Sequence, residues 1–371
     1  MKVCLDIQAA LGQRAGVGRY VRELLWHLGP EAGRDELSAF YFDFKRTGLE
    51  SPPPGVRMQA CRWLPGRLAQ AAWKGLGFPP FDWLAGGADL YHFPNFIRPP
   101  LSRGRKSVVT IHDVSFLRRP ETTEKKNLAW LSAEIQRTAE RADAILTDSH
   151  YSAREIIELL NVPAEKVFPV WLGLPEFGPP PAPEVAAQIR RDMGLNRPYL
   201  LMVGTIEPRK NIPFLVKIYE TLGDFDGDLV IAGGLGWKTG PTLRAISESP
   251  RKTGIKLLKH MRDAQLSALY AGAATFVFQT RYEGFGFTPL EAMGRGTPVI
   301  AARNSSLPEV LGAAAEWVED FEAETWAGRV RAVLNEPDRA ARLRAAGREQ
   351  ARKFTWAETA RQTWAVYRKL A

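Results

Sequence analysis

Cysteine is scarce in this chain of 371 residues, occurring only as Cys4 and Cys61. Two residues are too few for a disulfide framework or a tetrahedral thiolate site, and both stand in apolar, strand-like contexts that read as buried thiols in a reducing compartment. Histidine is scarce too, five in all with no Cys/His cluster, so zinc or iron chemistry lacks a ligand set. Nowhere do about 18 consecutive apolar residues occur. Asp6 also interrupts the N-terminus where a secretory signal would need an apolar core. The expectation is a cytoplasmic chain with no membrane span and no export signal. Neither a P-loop nor a G-x-S-x-G nucleophile elbow is present, which sets aside two large enzyme classes.

What is there resembles an ordinary globular composition: 45% hydrophobic and 25% charged residues, with Gly (32) and Pro (27) near usual levels, which excludes disorder and fibrous repeats. At about 150 residues per domain the length predicts roughly two domains, each able to bury its own core. The net charge of +9 attracts polyanions: nucleic acid, phosphorylated small molecules or an anionic bilayer. No nucleic-acid reading module accompanies the charge, so nucleic acid is not expected as a partner.

Short β-branched runs alternate with amphipathic stretches, the pattern of an α/β protein with parallel sheets. Strands are predicted at Lys2–Asp6, 38–42, Leu90–Phe93, 107–111, Ala144–Thr147 and 167–171, with helices near 17–28, Lys125–Arg141 and 151–160. The run Gly173-Leu174-Pro175-Glu176-Phe177-Gly178-Pro179-Pro180-Pro181 interrupts regular structure and reads as the domain linker. A second alternation follows, with strands near Tyr199–Val203, Asp228–Ala232, 254–258, Thr275–Phe278 and 298–301, and helices near 212–222, 264–271 and 288–293. Beyond Phe321 the chain reads as helical, and Trp356, Ala360, Trp364, Val366 and Tyr367 form a buried stripe. The resulting domains are 1–172, with 357–371 returning to it, and 173–356, an arrangement that suggests a cleft between them.

The sharpest motif is Glu283-Gly284-Phe285-Gly286-Phe287-Thr288-Pro289-Leu290-Glu291, two carboxylates eight positions apart across a glycine loop and a helix start. Pro289 suits the first helical turn, and the amides near Phe287 and Thr288 would offer an anion site. Glu291 could accept from a vicinal diol such as ribose. The plain alternative is a solvated helix glutamate and a capping acid. Upstream, Gly204-Thr205-Ile206-Glu207-Pro208-Arg209-Lys210-Asn211 links a strand to a helix, and Arg209 with Lys210 could neutralise a diphosphate leaving group or be a surface pair. Gly12-Gln13-Arg14-Ala15-Gly16-Val17-Gly18 would let backbone approach a phosphate, or simply turn the chain. His112 ends a strand at the carboxyl edge where α/β sheets bind ligands; it could meet a sugar hydroxyl or shuttle a proton, or be a loop histidine with Asp113 as turn former. Residues 62–74 mix Trp63, Leu64, Leu68 and Trp73 with Arg62, Arg67 and Lys74, either as a segment lying on an anionic bilayer or as a solvated basic face over core tryptophans. Arg98, Arg103, Arg105, Lys106, Arg118, Arg119, Lys125 and Lys126 add to the positive character of the first half.

Taken together, Gly16 to Tyr20, Tyr91-His92-Phe93-Pro94-Asn95, Thr110 to Phe116, Thr147-Asp148-Ser149, Gly204 to Asn211, Leu229 to Gly234, Tyr282 to Glu291 and Ser305 to Val310 resemble the retaining glycosyltransferases of family 4 over nearly the whole chain. The resemblance implies the GT-B fold, two Rossmann-like domains facing across a cleft. It also implies a nucleotide-sugar donor held mainly by the C-terminal domain, an acceptor held mainly by the N-terminal one, and no metal or cofactor. Carried over, Glu291 binds the ribose, Glu283 with the amides of Gly284, Phe285, Gly286 and Phe287 holds the donor sugar, and Arg209 with Lys210 takes the diphosphate. His112 sits beside the transferred sugar, and Gly16 and Gly18 approach the diphosphate and acceptor. Thr205 departs from the arginine found in many relatives, with Arg209 as the substitute cation. The segments 110–116 and 305–310 look most like bacterial mannosyltransferases that use GDP-mannose in surface-polysaccharide or lipopolysaccharide assembly, with a glycan or polyprenyl-linked acceptor at the cytoplasmic membrane face. Enzymes using UDP-glucose, UDP-N-acetylglucosamine or a rare sugar donor would carry nearly the same motifs. The alternative is a non-catalytic nucleotide-sugar or glycan-binding subunit on the same scaffold.

Overall fold

The computed structural model describes residues 1–12, 16–46, 48, 52–174, 181–259 and 261–371. The expected linker at 175–180, loop residues 13–15 and the side chains of Lys125 and Lys126 lie outside that description. The chain divides into two compact units: Met1–Leu117, Lys126–Gly173 and Thr355–Ala371 form the first, and Arg118–Lys125 with Leu174–Phe354 form the second.

The first unit holds a seven-stranded parallel sheet, in the order β3-β2-β1-β4-β5-β6-β7. Its strands are β1 (Lys2–Asp6), β2 (Glu36–Phe42), β3 (Val56–Cys61), β4 (Leu90–Phe93), β5 (Lys106–Thr110), β6 (Ala144–Thr147) and β7 (Val167–Pro169). β4 and β6 are buried throughout, and β1 and β5 are buried except at their ends, because helices cover both sheet faces, as parallel sheets require. β3 is not among the strands predicted, although the context of Cys61 reads as strand-like: Val-Arg-Met-Gln-Ala-Cys is partly polar, and it pairs only with β2 at the sheet edge. Cys4 and Cys61 are free and buried, and burial pushes the Cys4 thiol up to about 12.

The last helix, Trp356–Leu370, packs on the helix Val17–Glu31 within this unit. All five residues of the expected stripe are buried. Trp364 Nε1 donates to the Leu28 carbonyl at 2.9 Å, Tyr367 Oη meets His92 Nδ1 at 2.6 Å, and Arg368 pairs with Asp35 at 3.0 Å. Thr355 caps the helix, accepting from the Glu358 amide. Gly173 must be glycine, since a Cβ there would lie 2.2 Å from the Trp356 nitrogen.

The second unit has a six-stranded parallel sheet, β10-β9-β8-β11-β12-β13. The strands are β8 (Tyr199–Val203), β9 (Asp228–Ala232), β10 (Ile255–Leu258), β11 (Thr275–Phe278), β12 (Val299–Ala302) and β13 (Glu316–Val318). β13 was also unanticipated, being three residues long and only partly buried. The grouping of Arg118–Lys125 with this unit has a local cause: Trp237 Nε1 donates to the Thr122 carbonyl at 2.7 Å, and Lys238 Nζ to the carbonyls of Glu121 and Thr123 at 2.8 Å. Among the described residues no helix is long and apolar enough to cross a membrane.

Candidate functional site

In the second unit the site begins where β8 and β9 end. Gly204 and Gly233 let the segments after the two strands touch, since a Cβ on Gly233 would fall 2.0 Å from the Gly204 carbonyl oxygen. After Gly204 a single 3₁₀ turn, Pro208–Lys210, ends at Asn211 with φ 54° and feeds the helix Ile212–Thr221. This turn is laced to the loop after β11. Gln279 Nε2 donates to the Lys210 carbonyl at 2.7 Å, and the Arg281 amide and Thr280 hydroxyl donate to the Arg209 carbonyl at 2.9 and 3.1 Å.

That lacing buries a charged cluster. Glu283 Oε1 accepts from Lys210 Nζ at 2.7 Å and Thr280 Oγ1 at 2.8 Å, while Oε2 lies 3.0 Å from Arg209 Nη1. Burial alone would push the Glu283 carboxyl up, but the charges of Arg209 and Lys210 and the hydrogen bonds from Lys210 and Thr280 outweigh it and hold it below the ordinary glutamate range. Glu207 has no role in the motif reading, yet it is buried and accepts from Arg209 Nε at 3.1 Å and Nη2 at 2.7 Å. Arg209 Nη1 also donates to the Tyr282 carbonyl at 2.8 Å. Arg209 is thus fixed on two carboxylates and a carbonyl, not displayed as a surface charge.

The Glu283 backbone is held in turn by the loop after β12: its amide donates to Ser305 Oγ and its carbonyl accepts from Ser306 Oγ, both at 2.9 Å. Gly286 then sits at φ 111°, where a Cβ would meet Leu307 at 2.7 Å, and starts the helix Phe287–Gly294. Phe285 packs on Phe287 and Phe354, so its ring is an anchor and only its backbone is offered to the loop. Thr288 Oγ1 is buried without a hydrogen-bond partner. Glu291 is not the solvated helix glutamate of the plain reading: it is 3% exposed and accepts from Tyr270 Oη at 2.7 Å.

The first unit contributes a separate cluster at the carboxyl ends of β5 and β6. His112 Nδ1 lies 3.0 Å from Asp148 Oδ2, and Nε2 lies 3.3 Å from the Pro94 carbonyl. Both ring nitrogens therefore face acceptors, the arrangement of an imidazolium donating from each. Burial would lower the His112 value, but the Asp148 charge and hydrogen bond outweigh it and raise it above the ordinary 6.5. Asp113 instead accepts from the Ser115 amide at 2.9 Å, the turn-forming role expected of it. The ring is boxed by Tyr20 and Phe96, with centroids at 4.8 and 5.4 Å. Gly16, at φ 59°, and buried Gly18 open the helix that carries Tyr20. The structure thus gathers Arg209, Lys210 and Glu283 in one cluster, places Gly284 to Glu291 directly after it, and sets Tyr20 beside His112. Glu207, Thr280, Tyr270 and Asp148 are the residues that sequence reasoning gave no role; for Asp148 the available signal was an acid directly after a strand and before the helix cap Ser149.

The same chain matches two family models, "Glycosyltransferase Family 4" over residues 14–176 and "Glycosyl transferases group 1" over 187–350. It is 32% identical over 285 residues to the O-antigen chain mannosyltransferase B of Escherichia coli, covering 76% of this chain and 74% of that one. Among solved structures, sucrose-phosphate synthase from Thermosynechococcus elongatus superposes with a TM-score of 0.76 at 19% identity, over 100% of this chain and 99% of that one. The Anabaena protein HepE in complex with UDP-glucose gives 0.72 at 17% identity, over the whole of both chains. The two Rossmann-like units are those of the GT-B fold, and the chain belongs to the family 4 glycosyltransferases, with mannosyltransferases among its relatives.

Proposed function

We propose that this glycosyltransferase moves mannose from GDP-mannose, with retention at the anomeric carbon and without a metal, to a glycan or lipid-linked acceptor in cytoplasmic assembly of a surface polysaccharide. The observation that carries the reading is the buried cluster of Lys210 and Arg209 on Glu283, at the mouth of a glycine loop and helix start. In this reading Lys210 Nζ and the amides from Gly284 to Thr288 take the diphosphate, and the unpartnered Thr288 hydroxyl gains a phosphate oxygen. Glu291 takes the ribose hydroxyls, and Glu283 orients the sugar. Glu207 keeps Arg209 on Glu283, so Lys210 is the principal cation and Arg209 mainly positions the glutamate. His112, with Gly16 and Gly18 at the adjacent helix start, serves the sugar and acceptor side, its ring held in place by Asp148 and the Pro94 carbonyl.

The chemistry asked of these groups is positioning and charge stabilisation. The bond from the anomeric carbon to the phosphate oxygen breaks, the acceptor oxygen bonds on the same face, and its proton passes to the departing phosphate. The resemblance to an O-antigen mannosyltransferase supports mannose and a surface polysaccharide. The free thiols of Cys4 and Cys61 support a cytoplasmic setting.

The test is thermal stabilisation by GDP, UDP, ADP and their sugar conjugates on wild type and Glu291→Ala, followed by turnover with and without EDTA. GDP-mannose at about 100 times its dissociation constant should add about 2.7 kcal/mol, and the variant should lose most of it. Selective response to UDP or ADP overturns the donor assignment. A β-mannosidic product from the α-linked donor overturns retention, and activity lost to EDTA overturns metal independence. Donor binding without transfer to any acceptor points to the non-catalytic subunit.

A further inference from the structure

The two aromatic walls around His112, Tyr20 and Phe96, are both tied to one residue of β5. Thr110 accepts from the Phe96 amide through its carbonyl oxygen at 2.9 Å, and its Oγ1 meets Tyr20 Oη at 3.0 Å. Phe96 stands at φ 60°, a left-handed backbone that a bulky residue keeps only where its surroundings fix it. The Thr110 hydroxyl also meets His92 Nε2 at 2.8 Å, and His92 Nδ1 meets Tyr367 Oη at 2.6 Å. A polar chain thus runs through the first unit from the returning helix Trp356–Leu370 to the Tyr20 ring, whose centroid lies 4.8 Å from that of His112.

Burial makes this chain rigid. Tyr20, His92, Thr110 and Tyr367 are each 3% exposed or less, so water does not compete for their bonds. Burial, with the His112 charge adding to it, pushes His92 down to about 3, so the ring is neutral and has one donor and one acceptor nitrogen. It must accept from one neighbour and donate to the other, which couples the Tyr367 hydroxyl to that of Thr110. Trp364 closes the far end, its ring nearly perpendicular to that of Tyr367 with centroids 5.2 Å apart. Packing alone does not call for four polar groups here, since replacing both partners of a buried hydrogen bond by apolar groups of the same shape is nearly neutral. His92, with no exposed surface, cannot meet a sugar itself.

We propose that His92 and Tyr367 are positioning residues for glycosyl transfer: through Thr110 they hold Tyr20, and Tyr20 holds the His112 ring and the glycine start of its own helix. This role rests on the reading that His112 serves the sugar side.

The test combines NMR of the full chain, carrying isotope-labelled histidine, with the kinetics of GDP release from GDP-mannose. Tyr367→Phe and Tyr20→Phe each remove one hydroxyl and keep the ring, so the fold should survive. Each should move the His112 ring resonances, identified by their loss in His112→Ala, and cut kcat on the order of tenfold with little change in KM. The double variant should be no slower than the slower single one, because both substitutions open the same chain. Thr110→Val should act like either, and Thr110→Ser, which keeps the hydroxyl, should restore both signals. Lower melting with unmoved His112 resonances and kcat would mark a purely structural network and overturn the proposal, as would losses that multiply in the double variant. If wild type releases no GDP, the donor reading fails, and the resonances decide: moved by Tyr367→Phe they support the positioning role, unmoved they overturn it. If His112→Ala keeps full kcat, the reading of His112 fails and the proposed role falls with it.

Discussion

The two buried charge clusters are built by the same device and tuned differently. Each lies past the carboxyl ends of neighbouring parallel strands: β5 and β6 carry His112 and Asp148, whereas β8 and β11 lead to Arg209, Lys210 and Glu283. In the first unit one carboxylate holds one imidazole whose value is raised above 6.5, so the charge there depends on pH. In the second, Glu207 and Glu283 face a guanidinium and an ammonium, and those cations hold the Glu283 carboxyl ionised far below neutrality. The lesson is that one edge of such sheets can hold either a protonation-dependent donor or a permanent anion clamp, according to the cation supplied.

The comparison breaks most visibly at Lys210. Lys210→Ala leaves Glu283 with Arg209 and Thr280 alone, and should cost about 3 kcal/mol of stability, the low end for breaking a buried pair. It should also cut turnover by a hundredfold or more if the cation stabilises leaving-group charge. Denaturant unfolding with steady-state kinetics would check both, and an intact kcat would refute the clamp.

Asp148→Asn sharpens the contrast from the other side. In the wild type the raised His112 value means that its contribution to stability is complete below 6.5 and is lost as pH rises through the folded value. Without the Asp148 charge, burial dominates and the value drops below 6.5, so stability should instead fall as acid protonates the unfolded chain. Each tenfold loss of proton affinity at the ring corresponds to about 1.4 kcal/mol. An NMR titration of the His112 ring alongside unfolding midpoints would read it, and an unmoved titration would contradict the ion pair. The matching substitution in the second unit, Glu283→Gln, should leave the midpoint flat near neutrality.

The smallest effect concerns neither cluster. Thr355→Ala removes the cap of the returning helix, and about 1 kcal/mol should be lost from the first unit by chemical denaturation.

Legibility in the sequence followed the locality of the physics. Apolar strands buried on both faces, such as Leu-Leu-Met-Val at β8, state their role in composition, whereas edge strands β3 and β13 do not, because one neighbour and partial burial tolerate polar side chains. Glu283 and Lys210 were visible because glycine turns and adjacent cations mark their loops. Glu207 and Tyr270 were not, since a buried partner is chosen by proximity across strands and carries no signature of its own.

The amino-acid sequence by itself determined the alternation of strand and helix, the two-part α/β organisation and the residues around the glycine loops, because these depend on periodicity and backbone permission. Only the tertiary structure decided which charges meet. It put Asp148 on His112 across 36 positions and Lys210 on Glu283 across 73, turned Glu291 inward to Tyr270, and left Trp63 outward while Trp73 packed in. The reason is that pairing energies depend on distance and dielectric, and both are set by the strands' order in the sheet and not by their order in the chain.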